Sequence, residues 1–172
     1  MTESEGLKVM TYLRLALPRQ EIAEGTVAVY CDALRTVPYD AVMAAARTHV
    51  ATSSFFPTIA ELLKPIAEAT VGSEPAEQAW LEVKRAISRW GRYQPWAFAN
   101  PITTAAVEAL GKESLCSADE TLVAERAHFM RIYESYRQRE LEGVRVATVT
   151  GREYQSRLPA PVLALLKGGK GQ

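Results

Sequence analysis

The chain has 172 residues, of which 48% are apolar and 23% charged, a balance that is typical of a globular protein and excludes wholesale disorder or a fibre. Basic and acidic residues number 20 each, so the overall charge indicates neither nucleic acid nor a membrane surface as a partner. No run approaches the roughly 18 consecutive apolar residues of a membrane span, and the acidic first five residues are unlike a signal peptide, so we expect a cytoplasmic protein without membrane contact. Cys31 and Cys116 have no metal-type spacing and are expected to be free thiols.

The first predicted domain covers residues 1–70 and consists of four short helices. Its first helix spans roughly residues 3–16, because Thr2 and Glu5 have the spacing of a capping box and Pro18 follows as a stop signal. The start of the chain therefore carries a helix signal at each end.

The next two helices are indicated by an apolar stripe and by a proline. A stripe with alternating spacings of three and four residues predicts a second helix from about Arg19 to Arg35. Pro38 then occupies the first turn of a third helix that reaches about Ala51. This third helix is rich in alanine, which permits close packing against its neighbours.

The segment that leads into the fourth helix contains the consecutive aromatic residues Phe55 and Phe56. Thr58 and Glu61 have the spacing of a second capping box, so a helix is predicted to begin here, and Pro65 is expected to kink or end it. One of the two phenylalanines is predicted to pack against the start of the helix, while the other is an exposed anchor for a partner.

Residues 73–141 are predicted to form a second helical block, because periodicity is lost near residue 72. A bulky stripe at helical spacing opens this block, and Gly91 ends its helix in a left-handed conformation. The stripe consists of Trp80, Val83, Ile87 and Trp90.

Two further helices are predicted in this block. Asn100 and Pro101 have the types expected of an N-cap and a first turn, and Gly111 ends their helix. A capping pattern of Ser117 and Glu120 then opens a helix that reaches about residue 140. The residues expected on its buried face are Leu122, Val123, Phe129, Met130, Tyr133 and Tyr136. Together with the lack of sustained alternation, these patterns predict an all-α fold.

The aromatic residues of the second block have two interpretations, core packing and stacking on the bases of single-stranded DNA. Trp80 and Trp90 share a face with other apolar residues, which favours the core, whereas Tyr93 and Trp96 fall in a loop and remain open to either role. The cations that could contact nucleic acid are Lys84, Arg85, Arg89 and Arg92.

The last segment, residues 142–172, is predicted to be a partly disordered tail. It contains five basic and two acidic residues and is the only basic region of the chain. A short apolar element within a proline and glycine frame is typical of a peptide that folds on a partner.

The sequence contains little that could support catalysis. His49 and His128 have no cysteine or carboxylate at metal spacing, and no phosphate-binding loop follows a predicted strand. We therefore expect no enzymatic activity, no metal and no cofactor.

Residues 34–42, followed after eight residues by residues 51–62, resemble the N-terminal helical domain of phage and prophage replicative-helicase loaders. These are the non-ATPase loader and inhibitor proteins that act on a DnaB-type hexameric helicase. The second block looks like the region that follows this domain in many prophage replication proteins. The resemblance covers roughly residues 20–68 most specifically.

The resemblance implies a non-enzymatic adaptor that binds the replicative helicase, restrains it, and delivers it to an origin through a replication initiator. It leaves two regions open for helicase contact, the tail and the second block, with DNA binding weak or indirect. The residues predicted to bind a partner are Phe55, Phe56, Tyr93, Trp96, Arg152, Arg157, Leu163, Leu165, Leu166 and Lys167.

Two alternatives remain beside the adaptor. One is a DNA-binding replication organiser or regulator of phage type. The charge distribution disfavours it, because residues 1–68 contain only six basic residues scattered among eight acidic ones. The other is an unrelated protein-interaction domain.

Overall fold

The regular structure of this protein is helical, as seen in a computed structural model that describes residues 1–20, 22–116, 122–156 and 158. These residues contain no strand, and the prediction of an all-α fold is confirmed. Contacts divide the chain into two units, each built from two separate stretches of sequence. The first comprises Met1–Gly72 and Leu141–Gln155, and the second Ser73–Glu140 and Ser156–Gln172.

The first unit opens with two helices, α1 over Glu3–Ala16 and α2 over Glu24–Ala33. The capping box of α1 is confirmed by two hydrogen bonds. The Glu5 amide donates to the Thr2 hydroxyl, and the Thr2 amide donates to the Glu5 carboxylate. The predicted start of the second helix near Arg19 is wrong. Gln20 lies before α2, and its side-chain oxygen accepts a hydrogen bond from the backbone of Phe56, 2.9 Å away.

Two more helices complete the N-terminal part of this unit, α3 over Tyr39–Thr52 and α4 over Ile59–Val71. The capping box of α4 is confirmed by the mutual hydrogen bonds of Thr58 and Glu61. These hydrogen bonds, chiefly that from the Thr58 amide, lower the pKa of the Glu61 carboxyl. Pro65 does not end α4, which continues to Val71 before Gly72 turns the chain at a φ of 100°.

The core of the first unit forms where α3 packs against both α1 and α4. Its buried residues are Val9, Met10, Leu13, Leu34, Val37, Val42, Met43, Ala45, Ala46, Leu62 and Leu63. A close approach of α1 to α2 depends on Gly6, where a Cβ atom would lie 2.7 Å from the Cys31 sulfur. Burial also raises the pKa of the Cys31 thiol, which is consistent with a structural residue.

Helix α8 extends over Leu122–Thr150 and contributes its final ten residues to the first unit. The predicted helix end near residue 140 is therefore wrong. Leu141 and Val144 are buried against Ala67 of α4, so tertiary packing overrides the weak helix propensity of this valine-rich stretch. The residues packed around this small cluster are Val71 and Tyr154.

The second unit contains α5 over Ala76–Trp90, α6 over Pro101–Leu110, the single turn α7 over Lys112–Leu115, and the first part of α8. Gly91 ends α5 with a φ of 55°, as predicted for a left-handed cap. Asn100 caps α6 by accepting the Ile102 amide, which confirms the prediction for this helix start. The predicted capping pair Ser117 and Glu120 lies outside the described residues.

Aromatic side chains form the centre of the second unit. Trp80 lies 5.4 Å from Phe129, measured between ring centroids, and Phe129 lies 5.9 Å from Tyr133. The core assignment is thus confirmed for Trp80 but wrong for Trp90, which ends α5 with 38% of its surface exposed. Val123 is 80% exposed, so its predicted burial is also wrong, and nothing is described of the Leu122 side chain.

A buried polar cluster connects the starts of α5 and α6 with α8. The Tyr133 hydroxyl donates to the Glu74 carbonyl oxygen at 3.0 Å and accepts from the Asn100 side-chain amide at 2.9 Å. The same amide donates to the Glu74 carboxylate. Because Asn100 also caps α6, this cluster holds the starts of α5 and α6 against the interior of α8 within the unit.

Candidate interaction surfaces

The loop between α3 and α4 presents Phe55 to solvent, with 69% of its surface exposed. Its backbone is held on both sides: the Phe55 amide donates to Ser53 Oγ, and the Phe55 carbonyl oxygen lies 2.9 Å from His49 Nε2. A carbonyl oxygen can only accept, so His49 carries a proton on Nε2. His49 therefore has a structural role, and the exposed phenyl ring is mounted on a fixed turn.

The neighbouring Phe56 points into the first unit. Its ring meets Tyr30 edge to face with 5.8 Å between centroids, and it packs against the buried core of α1, α3 and α4. The Tyr30 hydroxyl donates to the Pro57 carbonyl oxygen at 2.8 Å, and burial raises the pKa of that hydroxyl. The structure thus assigns the two roles that the sequence left open between these phenylalanines, with Phe56 inside and Phe55 outside.

An apolar groove of about 510 Å³ lies between α4 and the end of α8 within the first unit. Its lining residues are Ile59, Ala60, Leu63, Glu142, Arg145, Val146, Val149 and Thr150. The sequence pattern does not predict this groove, because it assigns residues 142–150 to the tail. The signal that could have found it is the three- and four-residue spacing of Val146, Val149 and Thr150.

The exposed face of α5 carries the predicted basic residues of the second unit. Lys84, Arg85 and Arg89 line one open groove of about 570 Å³ together with Leu81 and Ser88. Arg92 is also exposed and follows directly after Gly91. The structure therefore brings three of the four predicted nucleic-acid residues to one surface, with the fourth just beyond the helix end.

The aromatic turn after α5 separates the two loop residues that the sequence left undecided. The Trp96 indole donates to the Gly91 carbonyl oxygen at 2.8 Å, and the Lys112 ammonium lies 5.2 Å from its ring centroid. Tyr93, in contrast, is 84% exposed, and its ring centroid lies 4.9 Å from the guanidinium carbon of Arg92. Trp96 therefore holds the turn in place, and Tyr93 is the residue available to a partner.

The predicted partner residues of the C-terminal segment fall into two groups. Arg152 is exposed in the first unit, just after α8. The others, Arg157, Leu163, Leu165, Leu166 and Lys167, lie outside the described residues. Leu158 of the second unit is buried, and the Ser156 hydroxyl beside it donates to the Glu140 carboxylate at 2.7 Å.

The described residues show neither a metal-binding cluster nor a membrane-spanning helix. No group of three histidine, cysteine or acidic residues there is arranged to hold a metal ion, and no helix is both long and apolar enough to cross a membrane. His128 is exposed on α8, and the half-buried Cys116 is a free thiol whose pKa is raised by burial. The features with evident binding capacity are thus the exposed aromatic loop, the apolar groove and the basic face.

An exposed aromatic loop, an apolar groove and a basic face on a helical scaffold are the candidate interaction surfaces of the described residues. Residues 1–63 match the family model of the N-terminal domain of the phage gene 39 protein. That protein belongs to a family of helicase inhibitors and loaders. The match confirms the resemblance to helicase inhibitors and loaders for these 63 of the 172 residues. Comparison with curated proteins and with solved structures gives no match to the chain.

Proposed function

We propose that this protein is a non-enzymatic adaptor that binds a hexameric, DnaB-type replicative helicase and loads or restrains it during DNA replication. The observation that carries the proposal is the match of residues 1–63 to the N-terminal domain of the gene 39 protein. The matched range includes α1 to α3 and the first turn of α4, and therefore the whole loop that exposes Phe55. A replication initiator is the second partner in this proposal, and the host cytoplasm is its location.

Phe55 is the residue of this loop best suited to anchor a helicase. Large aromatic side chains at the centre of protein interfaces contribute most of the binding free energy. The hydrogen bonds from Ser53 and His49 hold the Phe55 backbone in the free protein, so little conformational entropy is lost when the ring enters a pocket. The geometry thus supports a preformed contact rather than one that folds on binding.

The apolar segment beyond residue 158 is the second proposed contact. It contains Leu163, Leu165 and Leu166 followed by Lys167, which combines apolar area with positive charge. The sequence predicts that this segment folds on its partner. Folding on binding costs conformational entropy, which keeps a contact reversible, and a delivery factor has to release its helicase. The chain contains no phosphate-binding loop, so in this proposal the helicase alone hydrolyses ATP.

The test is size-exclusion chromatography with light scattering of the protein mixed with its cognate helicase and ATP, together with the helicase ATPase rate. We expect a complex of higher mass and a changed ATPase rate. An intact helicase hexamer that forms no complex would contradict the proposal.

The contribution of the loop is tested in the same assay with Phe55→Ala. We expect at least a tenfold loss of affinity, because a buried aromatic anchor typically contributes about 2 kcal/mol or more, which corresponds to about 30-fold. Leu15→Ala is the matched control, since Leu15 is 78% exposed on α1 of the same unit. Equal affinities of both variants and the natural protein would remove Phe55 from the interface.

The second contact is tested with a chain that stops after residue 158. This end point preserves the packing of Leu141 and Val144, which a deletion from residue 142 would destroy. We expect weaker helicase binding, while the helices of the remaining residues stay intact. Unchanged binding would assign the contact to the helical units alone.

A further inference from the structure

The exposed face of α5 concentrates positive charge on one side of one helix. Lys84, Arg85 and Arg89 line the same open groove, and Arg92 continues the series beyond the helix end. Leu81 lines this groove too and is 46% exposed, so the surface also has an apolar part. We use the name α5 face for these five residues together with two neighbouring aromatic residues, Trp90 beside Arg89 and Tyr93 beside Arg92.

Arg89 and Arg92 of the α5 face contact aromatic rings, but the cations of this face are not paired with carboxylates in the described part of the chain. Within residues 1–20, 22–116, 122–156 and 158, none of the four forms an ion pair with a carboxylate, although Arg35 pairs with Asp32 elsewhere on the surface. Helix α5 also carries two acidic residues, Glu77 one turn before Leu81 and the half-buried Glu82 directly after it, and neither lines the groove. The helix dipole favours cations in the last turn, which accounts for Arg89 but not for four cations in nine residues.

Exposed aromatic rings alternate with these cations. Trp90 is 38% exposed and lies 5.4 Å from the Arg89 guanidinium carbon, and Tyr93 is 84% exposed beside Arg92. Among the described residues, the buried aromatic side chains of the second unit are Trp80, Phe129 and Tyr133, and neither Trp90 nor Tyr93 belongs to this buried set. Two exposed rings therefore adjoin cations that form no ion pair with a carboxylate of the described residues.

We propose that the α5 face binds single-stranded DNA. The cations would contact successive phosphates, while Tyr93 and the exposed part of Trp90 would stack on unpaired bases. Duplex DNA fits less well, because its base faces are covered by stacking and only base edges are accessible in its grooves. An acidic protein surface would match the charge but would leave the flat aromatic rings without a specific counterpart.

The single-strand proposal goes beyond helicase binding and is carried by the α5 face alone. The choice of DNA over RNA rests on the proposed function in replication. The test therefore uses the full-length protein without helicase, and complex formation with the helicase is measured separately on the same variants. A loss of DNA binding with intact helicase binding distinguishes the two functions.

The test is fluorescence anisotropy with a labelled oligo(dT) of about 20 nucleotides, compared with oligo(rU) and with the matching duplex, at about 50 to 200 mM salt. Each phosphate contact lowers the slope of log affinity against log salt by about 0.7 on a single strand, so four contacts predict a loss of about 50-fold over this range. We expect oligo(dT) to bind more tightly than the other two. No binding of oligo(dT) at the lowest salt concentration, or tighter binding of duplex or RNA, would overturn the proposal.

Variants separate the two kinds of contact. Lys84→Ala with Arg85→Ala is expected to halve the salt slope, whereas Arg126→Ala with Arg131→Ala removes the same charge from exposed positions on α8 and should leave the slope unchanged. Tyr93→Ala is expected to weaken binding about fivefold or more at every salt concentration without changing the slope.

Rescue by a conservative substitution completes the test. Tyr93→Phe should bind as the natural protein does, because the stacking ring is kept and only an exposed hydroxyl is lost. Equal salt slopes for the two charge variants, or full affinity of Tyr93→Ala, would contradict the assigned roles.

Discussion

Tyr133 lies at the centre of the polar cluster in the second unit, and we predict that Tyr133→Phe destabilises this unit by about 2 kcal/mol. The substitution keeps the buried ring beside Phe129 but removes the hydroxyl. Two hydrogen bonds are lost, one to the Glu74 carbonyl oxygen at 3.0 Å and one from the Asn100 amide at 2.9 Å. Each contributes about 1 kcal/mol net, and the Glu74 carbonyl oxygen is left without this donor in a partly buried place.

Tryptophan fluorescence is the appropriate assay for this variant, because Trp80, Trp90 and Trp96 all belong to the second unit. A change of about 2 kcal/mol shifts the midpoint of urea unfolding by about 1 M for a protein of this size. Tyr93→Phe is the matched control, since its hydroxyl is exposed, and we expect no shift for it. An unchanged midpoint for Tyr133→Phe would refute the structural role given to the cluster.

The same substitution has a defined dependence on pH. Burial, reinforced by the nearby Glu74 carboxylate, raises the pKa of Tyr133 to about 12 from its ordinary value of 10.0. The unfolded chain therefore releases this proton at lower pH than the folded one, so the stabilisation is complete below pH 10 and is lost as pH rises towards 12. The difference between the natural protein and Tyr133→Phe should shrink over this window, and a constant difference would contradict the assignment.

Three further predictions concern the first unit. Phe56→Ala should lower the free energy of unfolding by about 2 to 3 kcal/mol, while Phe55→Ala should change it by less than about 0.5 kcal/mol. The assay is thermal unfolding followed by circular dichroism. Equal effects of the two substitutions would contradict the assignment of Phe56 to the interior and Phe55 to the surface. Thr58→Ala should cost about 1 kcal/mol in the same assay, because it removes the acceptor for the first turn of α4, and an unchanged melting temperature would argue against the cap. Val144→Ala should lower the free energy of unfolding by about 2 kcal/mol and increase amide hydrogen exchange at the end of α8. Val146→Ala, at an exposed position, should do neither. Identical exchange in both variants would contradict the burial of Val144.

Helix ends with a local chemical signal could be predicted from the sequence. The hydrogen bonds of Thr2 with Glu5, of Thr58 with Glu61, and of Asn100 with the next turn involve residues at most three positions apart, so the sequence contains both partners of each bond. The left-handed conformation at Gly91 is local in the same sense.

Features that depend on distant residues could not be predicted in this way. The start of α2 was misplaced because Gln20 interacts with Phe56, which lies 36 positions later. The last turns of α8 were missed because Val144 is buried against Ala67, and its β-branched side chain by itself disfavours a helix. Both errors arise from tertiary contacts that overrode local propensity.

The candidate binding surfaces were only partly visible in the sequence. The pair Phe55 and Phe56 was identified, but which ring is exposed depends on the position of Tyr30, 26 residues before Phe56. Trp90 was assigned to the core from its periodicity, although a residue in the final turn of a helix can leave the buried stripe. The groove beside α4 was missed entirely, because it needs residues from the far end of the chain.

The division of each unit between two stretches of sequence has a consequence for synthesis on the ribosome. When Gly72 has been added, the partners of Ala67 at Leu141 and Val144 still lie about 70 codons ahead in the messenger RNA. At about 5 to 20 residues per second, the nascent N-terminal helices wait roughly 4 to 14 s before their last layer exists. During this interval the side of α4 around Ala67 is open to chaperones. A stop codon placed before residue 141 would leave that side permanently uncovered, so shortened translation products should be cleared by cellular proteases while the complete chain persists.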